Sequence, residues 1–127
     1  MSRRDGERLR DILNAIEAID RAQAAGQRLS NDPDAAAIVL AAIQFHVFTI
    51  GEAVKGLPVT LTAERPEVPW SDIARMRDLI GHHYYKLDTQ IVRATIGQPL
   101  DRLRDACHHL LTALQADEQP RRQAPAH

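Results

Sequence analysis

Hydrophobic residues recur along most of the chain at intervals of three and four positions, the period that is typical of α-helices. In the first such segment charged residues separate the apolar positions, and the pattern ends near Gly26. The apolar positions of this segment are Leu9, Ile12, Leu13, Ile16 and Ile19. Asp32, Pro33 and Asp34 then supply a capping side chain, a proline at the first helical position and an acid in the first turn. The pattern therefore predicts one amphipathic helix and the start of a second.

The second predicted helix is apolar on most of its sides. Its apolar residues are Ile38, Val39, Leu40, Ile43, Phe45, Val47, Phe48 and Ile50. A helix of this composition belongs in the middle of a bundle. Its most apolar stretch is interrupted by Gln44, His46 and Glu52. We therefore interpret the stretch as a buried helix rather than as a membrane span.

Prolines and glycines divide the rest of the chain into shorter segments. Gly56 and Pro58 end the second helix, and residues 59–69 are predicted to form a loop with one helical turn. A third helix is predicted to begin at Trp70 or Ser71. Its apolar stripe consists of Ile73, Met76, Leu79 and Ile80. We expect Trp70 to anchor this helix in the core.

The C-terminal part of the chain predicts two more helices. Asp88 is a candidate cap for a short one that closes at Gly97, and Pro99 opens a longer one with a stripe of leucines. After that stripe the composition is polar and contains prolines, so residues 117–127 are expected to form a disordered tail. No strand-like alternation and no internal repeat is visible. The sequence thus predicts an all-α protein, a bundle of four to five helices with a single domain over residues 1–116.

Composition limits the possible functions and locations. The 127 residues carry a formal net charge of −1, so any contact with RNA must come from a local patch or from a second subunit. The single cysteine, Cys107, excludes an intramolecular disulfide framework and fits a reducing compartment. It lies in the last leucine stripe and is expected to be a core thiol. The first residues are charged and show no signal peptide, so we expect a cytoplasmic protein without a membrane anchor.

One segment, residues 76–85, differs from the rest of the chain. It places an arginine, two histidines and two tyrosines around Gly81, a residue that weakens helices. Arg77 and His82 would point about 140° away from each other on a regular helix. For both to act on one phosphate, either the helix breaks near Gly81 or a second copy of the chain supplies one of them. A twofold dimer with this segment at its interface would satisfy the second condition.

These residue types suit metal-independent cleavage of RNA by internal transesterification. The 2′-hydroxyl must lose a proton and the 5′-oxygen must gain one, and a histidine such as His82 can do either near neutral pH. Negative charge builds on the non-bridging phosphate oxygens, where the guanidinium of Arg77 is suited to hold it. Tyr84 is suited to hydrogen-bond the phosphate or to stack on a base. Arg77 and His82 are therefore the candidate catalytic residues, and Tyr84 is a supporting one.

Purely structural interpretations of the same residues stay open. Arg77 can form an ordinary ion pair with Asp78 or with another surface acid, while His82 caps the end of a helix. Glu52 is either a solvated glutamate or a carboxylate that orients Arg77 or His82 from behind. The spacing of these residues does not decide between the two interpretations.

A metal site is a further alternative, because histidines occur in adjacent pairs at residues 82–83 and 108–109, the second pair next to Cys107. Adjacent side chains on a helix point about 100° apart, however, and no carboxylate is spaced to complete a set of ligands. We therefore expect no metal and no cofactor. His46 lies in the apolar second helix and is expected to be a core or interface histidine rather than a ligand.

The segment around Arg77 resembles a known family of toxins. Arg77-x4-His82-x-Tyr84 matches the R-x4-H-x-Y motif of HepT-like toxins in the HEPN superfamily. The lead-in from Pro66 to Asp78 and the second-helix stretch Ile50-Gly51-Glu52-Ala53 also resemble that family. The resemblance extends over about residues 42–96, with compatible helices on either side.

This resemblance implies an all-α HEPN fold, a homodimer, and endoribonuclease activity from Arg77 and His82 in a cleft at the dimer interface. Asp78 fits the polar position that follows the arginine. The family further implies a partner, a minimal nucleotidyltransferase antitoxin that transfers AMP to the motif tyrosine, here Tyr84. Each added nucleotide places phosphate charge and bulk where RNA would bind.

Two classes of function remain open at this level. The first is the ribonuclease component of a toxin–antitoxin pair. The second is a non-catalytic HEPN module that binds nucleotide or serves as a helical partner of a nucleotidyltransferase. The intact Arg77, His82 and Tyr84 favour the first class, because a degenerate motif would favour the second.

Overall fold

A computed structural model describes the chain over residues 3–83 and 96–123, and the side chains over residues 3–82 and 96–116. In this part the chain is helical and contains no strand, which confirms the predicted all-α class. The helices are α1 (Arg3–Arg28), α2 (Pro33–Lys55), α3 (Val59–Thr62), α4 (Trp70–His83) and α5 (Gln98–Gln123).

Local capping chemistry sets both ends of α2. The Oδ1 atom of Asp32 accepts hydrogen bonds from the backbone N–H groups of Asp34 and Ala35, at 3.0 and 3.4 Å. Pro33 occupies the first helical position, where its missing N–H costs nothing. At the other end Gly56 is the C-cap, and its N–H donates to the carbonyl oxygen of Ala53 at 3.1 Å. The predicted boundaries of this helix are confirmed.

The core lies where α2 packs against α1 and α4, with α5 closing the other side of α1. Each long helix contributes one stripe of buried side chains to it, which is the arrangement expected of amphipathic helices. The buried set includes Leu9, Ile12, Ile16 and Ile19 of α1, Ile43, Val47 and Ile50 of α2, Ile73, Met76 and Ile80 of α4, and Leu103, Cys107 and Leu110 of α5.

By length and composition alone, α2 could cross a membrane. In this fold Ile43, Val47 and Ile50 of α2 are buried against neighbouring helices. On the opposite face of α2, Ile38 and Phe45 are 69% and 63% exposed. The helix is therefore central to the bundle without being enclosed by it.

The remaining boundaries agree with the sequence pattern in part. The single helical turn predicted within residues 59–69 is α3, and α4 begins at Trp70. Gly81 does not break α4, which continues to His83. The short helix predicted from Asp88 falls on residues 84–95, outside the described residues. The last helix extends to Gln123, beyond the predicted domain limit at residue 116, and the disorder of residues 117–127 stays a prediction.

Candidate active site at the contact of α2 and α4

A glycine determines how closely α2 and α4 approach each other. Gly51 lies in α2 directly opposite Arg77 of α4, and a Cβ atom at position 51 would collide with the Cβ of Arg77. The same Cβ would lie 3.2 Å from the carbonyl oxygen of Ile73. The two helix backbones can meet at this level only because residue 51 has no side chain. Arg77 therefore emerges against α2 itself.

Two carboxylates hold the guanidinium of Arg77. Its Nε donates to Oε1 of Glu52, one residue beyond Gly51 on α2. Its Nη1 donates to Oδ1 of Asp78, the next residue on α4, at 3.1 Å. Lys55, one helical turn beyond Gly51, places its Nζ 2.9 Å from the same Asp78 oxygen. We call Glu52, Lys55, Arg77 and Asp78 the charged cluster.

Contacts within the charged cluster shift the pKa values of Arg77 and Asp78 in the directions that favour their ionised forms. The hydrogen bond to Glu52, followed by that to Asp78, raises the pKa of the Arg77 guanidinium above its ordinary value. Lys55, followed by Arg77, lowers the pKa of Asp78 below its ordinary value. The two carboxylates of the cluster balance its two cations in formal charge. Glu52 and Asp78 therefore orient the guanidinium of Arg77 without creating a strong local field. Its members are at the surface, where solvent weakens each pair.

An aromatic ring completes the surroundings of Arg77. The Cζ atom of Arg77 lies over the ring of Phe48, 5.1 Å from the ring centroid, within the range of a cation–π contact. Phe48 is half-buried and packs against the hydrophobic core. A Cβ at Gly81 would lie 3.4 Å from Cε2 of Phe48, so this glycine sits beside the ring. The glycine that was predicted to weaken α4 thus lies at the packing contact with Phe48.

The two candidate catalytic residues lie on different faces of α4. The helix runs through both Arg77 and His82, and His82 is exposed. Helical geometry separates the directions of the two side chains by about 140°. The structure thus joins Arg77 with Asp78 and Glu52, and the geometry of α4 directs the side chain of His82 away from that of Arg77. Tyr84 and the side chain of His83 lie outside the described residues.

An exposed apolar stripe leads to the charged cluster. Ile38, Phe45 and Glu52 are spaced by seven residues on α2 and therefore lie along one side of the helix. Glu52 at the end of this stripe holds Arg77. We call these three residues the outer stripe of α2. It faces away from the core and carries two large exposed hydrophobic side chains.

The other residues that the sequence singled out, namely Cys107, His46, His108 and His109, do not belong to the charged cluster. Cys107 is fully buried in the core, as predicted, and burial raises the pKa of its thiol to about 12. His46 is half-buried, with its ring edge against Phe45 and the centroids 5.3 Å apart. His108 and His109 are exposed on α5. Within the described residues no three His, Cys, Asp or Glu side chains cluster in a way that could hold a metal ion.

Sequence analysis did not single out three residues of this site: Phe48, Gly51 as the point of close approach, and Lys55. Phe48 counted only as one of many apolar residues of α2. Its spacing of three residues from Gly51, four from Glu52 and seven from Lys55 placed it on their side of the helix, which was the available signal. Nothing in the local pattern showed that α4 would lie against that side.

Comparison with known proteins gives the family. The family model described as "Ribonuclease HepT-like" matches residues 10–110. A protein of Thermococcus cleftensis named "Probable ribonuclease HepT" is 30% identical over 106 residues, which cover 82% of this chain and 93% of the relative. A protein of Caldanaerobacter subterraneus subsp. tengcongensis named a "Putative RNase" is 37% identical over 62 residues, which cover 49% of this chain and 55% of that relative. No solved structure matches the chain significantly. Because the family model covers most of the chain, and the match to the Thermococcus relative covers most of both proteins, this chain belongs to the ribonuclease HepT-like family.

Proposed function

We propose that the protein is a metal-independent endoribonuclease, the toxin of a toxin–antitoxin pair, and that it works as a homodimer. The observation that carries the proposal is the anchored arginine. In a chain of this family, the motif residue Arg77 is held between Glu52 and Asp78 at the surface, which is how an arginine is prepared to bind a phosphate.

The contacts of Arg77 suit a phosphate clamp. The carboxylates engage its Nε–H and one N–H of Nη1. A guanidinium has five N–H donors, so within the described contacts both N–H groups of Nη2 are left for a ligand. As the 2′-oxygen attacks phosphorus and the 5′-oxygen leaves, charge grows on the non-bridging oxygens, and a fixed arginine stabilises it. The carboxylates of Glu52 and Asp78 act as orienting groups in this proposal.

His82 is the proposed proton-transfer residue, and it acts together with Arg77 of the other subunit. For Arg77 and His82 to act on one phosphate, either α4 must break near Gly81 or a second copy of the chain must supply one of the two residues. Since α4 is continuous past Gly81, the second copy is favoured. A twofold contact through the outer stripe of α2 would cover Ile38 and Phe45 and bring the two charged clusters next to each other. His82 then takes the proton from the 2′-hydroxyl or delivers one to the leaving 5′-oxygen.

Neutralisation by AMP transfer to Tyr84 is part of the same proposal and rests on the family resemblance. A minimal nucleotidyltransferase would be the partner that carries it out. The phosphate of each added AMP would compete with RNA for Arg77.

Incubation with the purified partner and ATP should add the mass of AMP to the wild type and to Tyr85→Phe but not to Tyr84→Phe. AMP transfer to the Tyr84→Phe variant would show that another residue is the target.

The activity is tested with total cellular RNA, purified protein free of AMP, and EDTA in excess. We expect the wild type to cleave, and His82→Ala and Arg77→Ala each to lose at least ~10²-fold in rate. His108→Ala and Arg102→Ala change the same residue types at exposed positions of α5 and should cleave like the wild type. Cleavage that disappears with EDTA would contradict the metal-independent mechanism. No cleavage by a folded, unmodified dimer would favour the alternative, a non-catalytic partner module of the nucleotidyltransferase.

A further inference from the structure

The contact between Phe48 and Arg77 fixes a degree of freedom that the carboxylates leave open. Hydrogen bonds from Nε and Nη1 lie near the plane of the guanidinium, so they set its position and its direction within that plane. They resist tilting of the plane only weakly. The ring of Phe48, under the guanidinium at 5.1 Å, supplies a surface against which the plane can rest.

The ring itself is held in place. Phe48 is half-buried and packs against the core of the bundle, and Gly81 of α4 leaves room for its edge. A side chain that is fixed by packing restrains its neighbour better than one that is free to rotate. Phe48 also comes from the same helix as Glu52, one turn earlier, so a single rigid element carries two of the three supports of Arg77.

We propose that Phe48 is a positioning residue for Arg77, acting through the face of the guanidinium, and that cleavage depends on this support. This inference rests on the proposed function, because it assigns to Phe48 an effect on the phosphate clamp. The face of Arg77 that meets the ring stays closed to solvent and to RNA. The Nη2 edge consequently points at the phosphate in one orientation, and the transition state needs no reorganisation of the arginine.

The kinetic test compares Phe48→Leu with Phe48→Tyr. Leucine keeps an apolar side chain in contact with the core but removes the aromatic face, whereas tyrosine keeps the face. We expect Phe48→Leu to lose at least about threefold in kcat with little change in KM, consistent with the modest strength of cation–π contacts. Phe48→Tyr should stay within about twofold of the wild type. Leu13→Ala removes a half-buried side chain of α1 that packs against the core, and it serves as the control for destabilisation. This variant should keep the kcat of the wild type.

Equal kcat values for Phe48→Leu and the wild type would overturn the proposal. So would a loss of activity in Phe48→Leu that Phe48→Tyr shares, or that Leu13→Ala reproduces, because either result would indicate packing alone. A rise in KM without a change in kcat would also overturn it, since that would be lost binding and not lost positioning.

A second readout does not depend on cleavage. The Nε–H resonance of Arg77, assigned by its absence in Arg77→Lys, should shift between the wild type and Phe48→Leu because the ring current of Phe48 is lost while the hydrogen bond to Glu52 stays. The same resonance position in the wild type and in Phe48→Leu overturns the proposal, whatever the protein does to RNA. A shift between the two proteins without any cleavage of RNA would instead mean that the contact exists and the proposed function has failed.

Discussion

At the scale of single residues, the surroundings of Arg77 combine two opposite effects. Glu52 and Asp78 orient the guanidinium, but their negative charges also lower the attraction of the site for a phosphate. Lys55 offsets part of that charge by binding Asp78. In a protein with a net charge of −1, RNA affinity is then expected to come from few, well-placed contacts and to fall with salt.

Glu52 is the residue at which the two effects can be separated. Glu52→Ala removes both the hydrogen-bond acceptor for Nε and the negative charge, whereas Glu52→Gln removes only the charge. If orientation dominates, as we expect, Glu52→Ala should lose about tenfold in kcat and Glu52→Gln no more than about threefold. The measurement is steady-state cleavage of one RNA oligonucleotide, with the exposed acid Glu64→Ala as the control. Faster cleavage by both Glu52 variants would mean that removing negative charge outweighs losing the support.

Cys107 gives a prediction that depends on burial alone. Its pKa is raised by burial from 9.0 to about 12, which reduces the thiolate fraction at pH 8 by roughly a thousandfold. We expect the native protein to resist alkylation by iodoacetamide at pH 8 and to react completely in urea. The unfolded thiol ionises first as the pH rises, so the contribution of Cys107 to stability is full below about pH 9 and is lost progressively between about pH 9 and about pH 12. Rapid labelling of the native protein would contradict a core thiol.

At the scale of helices, local chemistry was sufficient where the signal was local. Asp32 and Pro33 specified the start of α2, because caps and first-turn residues act within a few positions of the helix end. The start of α4 at Trp70 is one of the two predicted positions, with Asp72 in the first turn. The prediction that Gly81 would weaken α4 did not lead to a break, because the helix packs against α2 at this level. Tertiary packing outweighs the roughly 1 kcal/mol that a glycine costs in a helix.

The candidate site was predictable only in part, because tertiary packing between distant helices forms the rest of it. The motif indicated Arg77 and His82, and the family resemblance added Glu52 and Asp78, because these depend on residue identity at fixed spacing. The support from Phe48 and Lys55 arises from the packing of α4 on α2, two helices separated by the loop and α3. A contact between distant segments leaves no periodic trace in either of them, so the sequence alone could not show it.

Gly51 tests the importance of that packing. Alanine favours helices over glycine by about 1 kcal/mol, so Gly51→Ala would stabilise an isolated α2. Here its Cβ would collide with Cβ of Arg77, and overpacking typically costs about 1–3 kcal/mol. We expect Gly51→Ala to lower the midpoint of urea unfolding and to reduce cleavage. Gly97→Ala, where a Cβ meets nothing within 4 Å, should unfold at the same urea concentration or higher. Equal or greater stability of Gly51→Ala would show that the helices can move apart freely.

At the scale of the whole molecule, one side of the central helix exposes large hydrophobic side chains. The outer stripe of α2 carries Ile38 and Phe45, which are 69% and 63% exposed, on the same helix that provides Glu52 and Lys55 to the charged cluster. Contiguous exposed hydrophobic surface is typical of protein interaction sites. A second copy bound there would bury both residues and place two Arg77 side chains near one another. The proposed dimer thereby explains the exposed stripe and the separated catalytic residues with one contact.

A charge on the outer stripe should prevent this association. Phe45→Lys places an ammonium group in the middle of the proposed interface, where burial without a partner is costly. We expect a monomer in analytical ultracentrifugation that has the helical circular dichroism of the wild type and lacks cleavage activity. Val59→Lys introduces the same group at an 80% exposed position on α3 and should stay dimeric and active. A dimeric Phe45→Lys protein with full activity would place the interface elsewhere.

The most direct test of the shared site is to mix inactive subunits. Arg77→Ala and His82→Ala chains are unfolded together in equal amounts and refolded, which yields heterodimers as half of the dimers if the subunits assort at random. If Arg77 of one chain acts with His82 of the partner subunit, each heterodimer contains one intact site of two, and the mixture should cleave RNA at about one quarter of the wild-type rate. If the mixture stays as inactive as either variant alone, while refolded wild type cleaves, both residues act within one chain and the account of a site assembled between two copies is wrong.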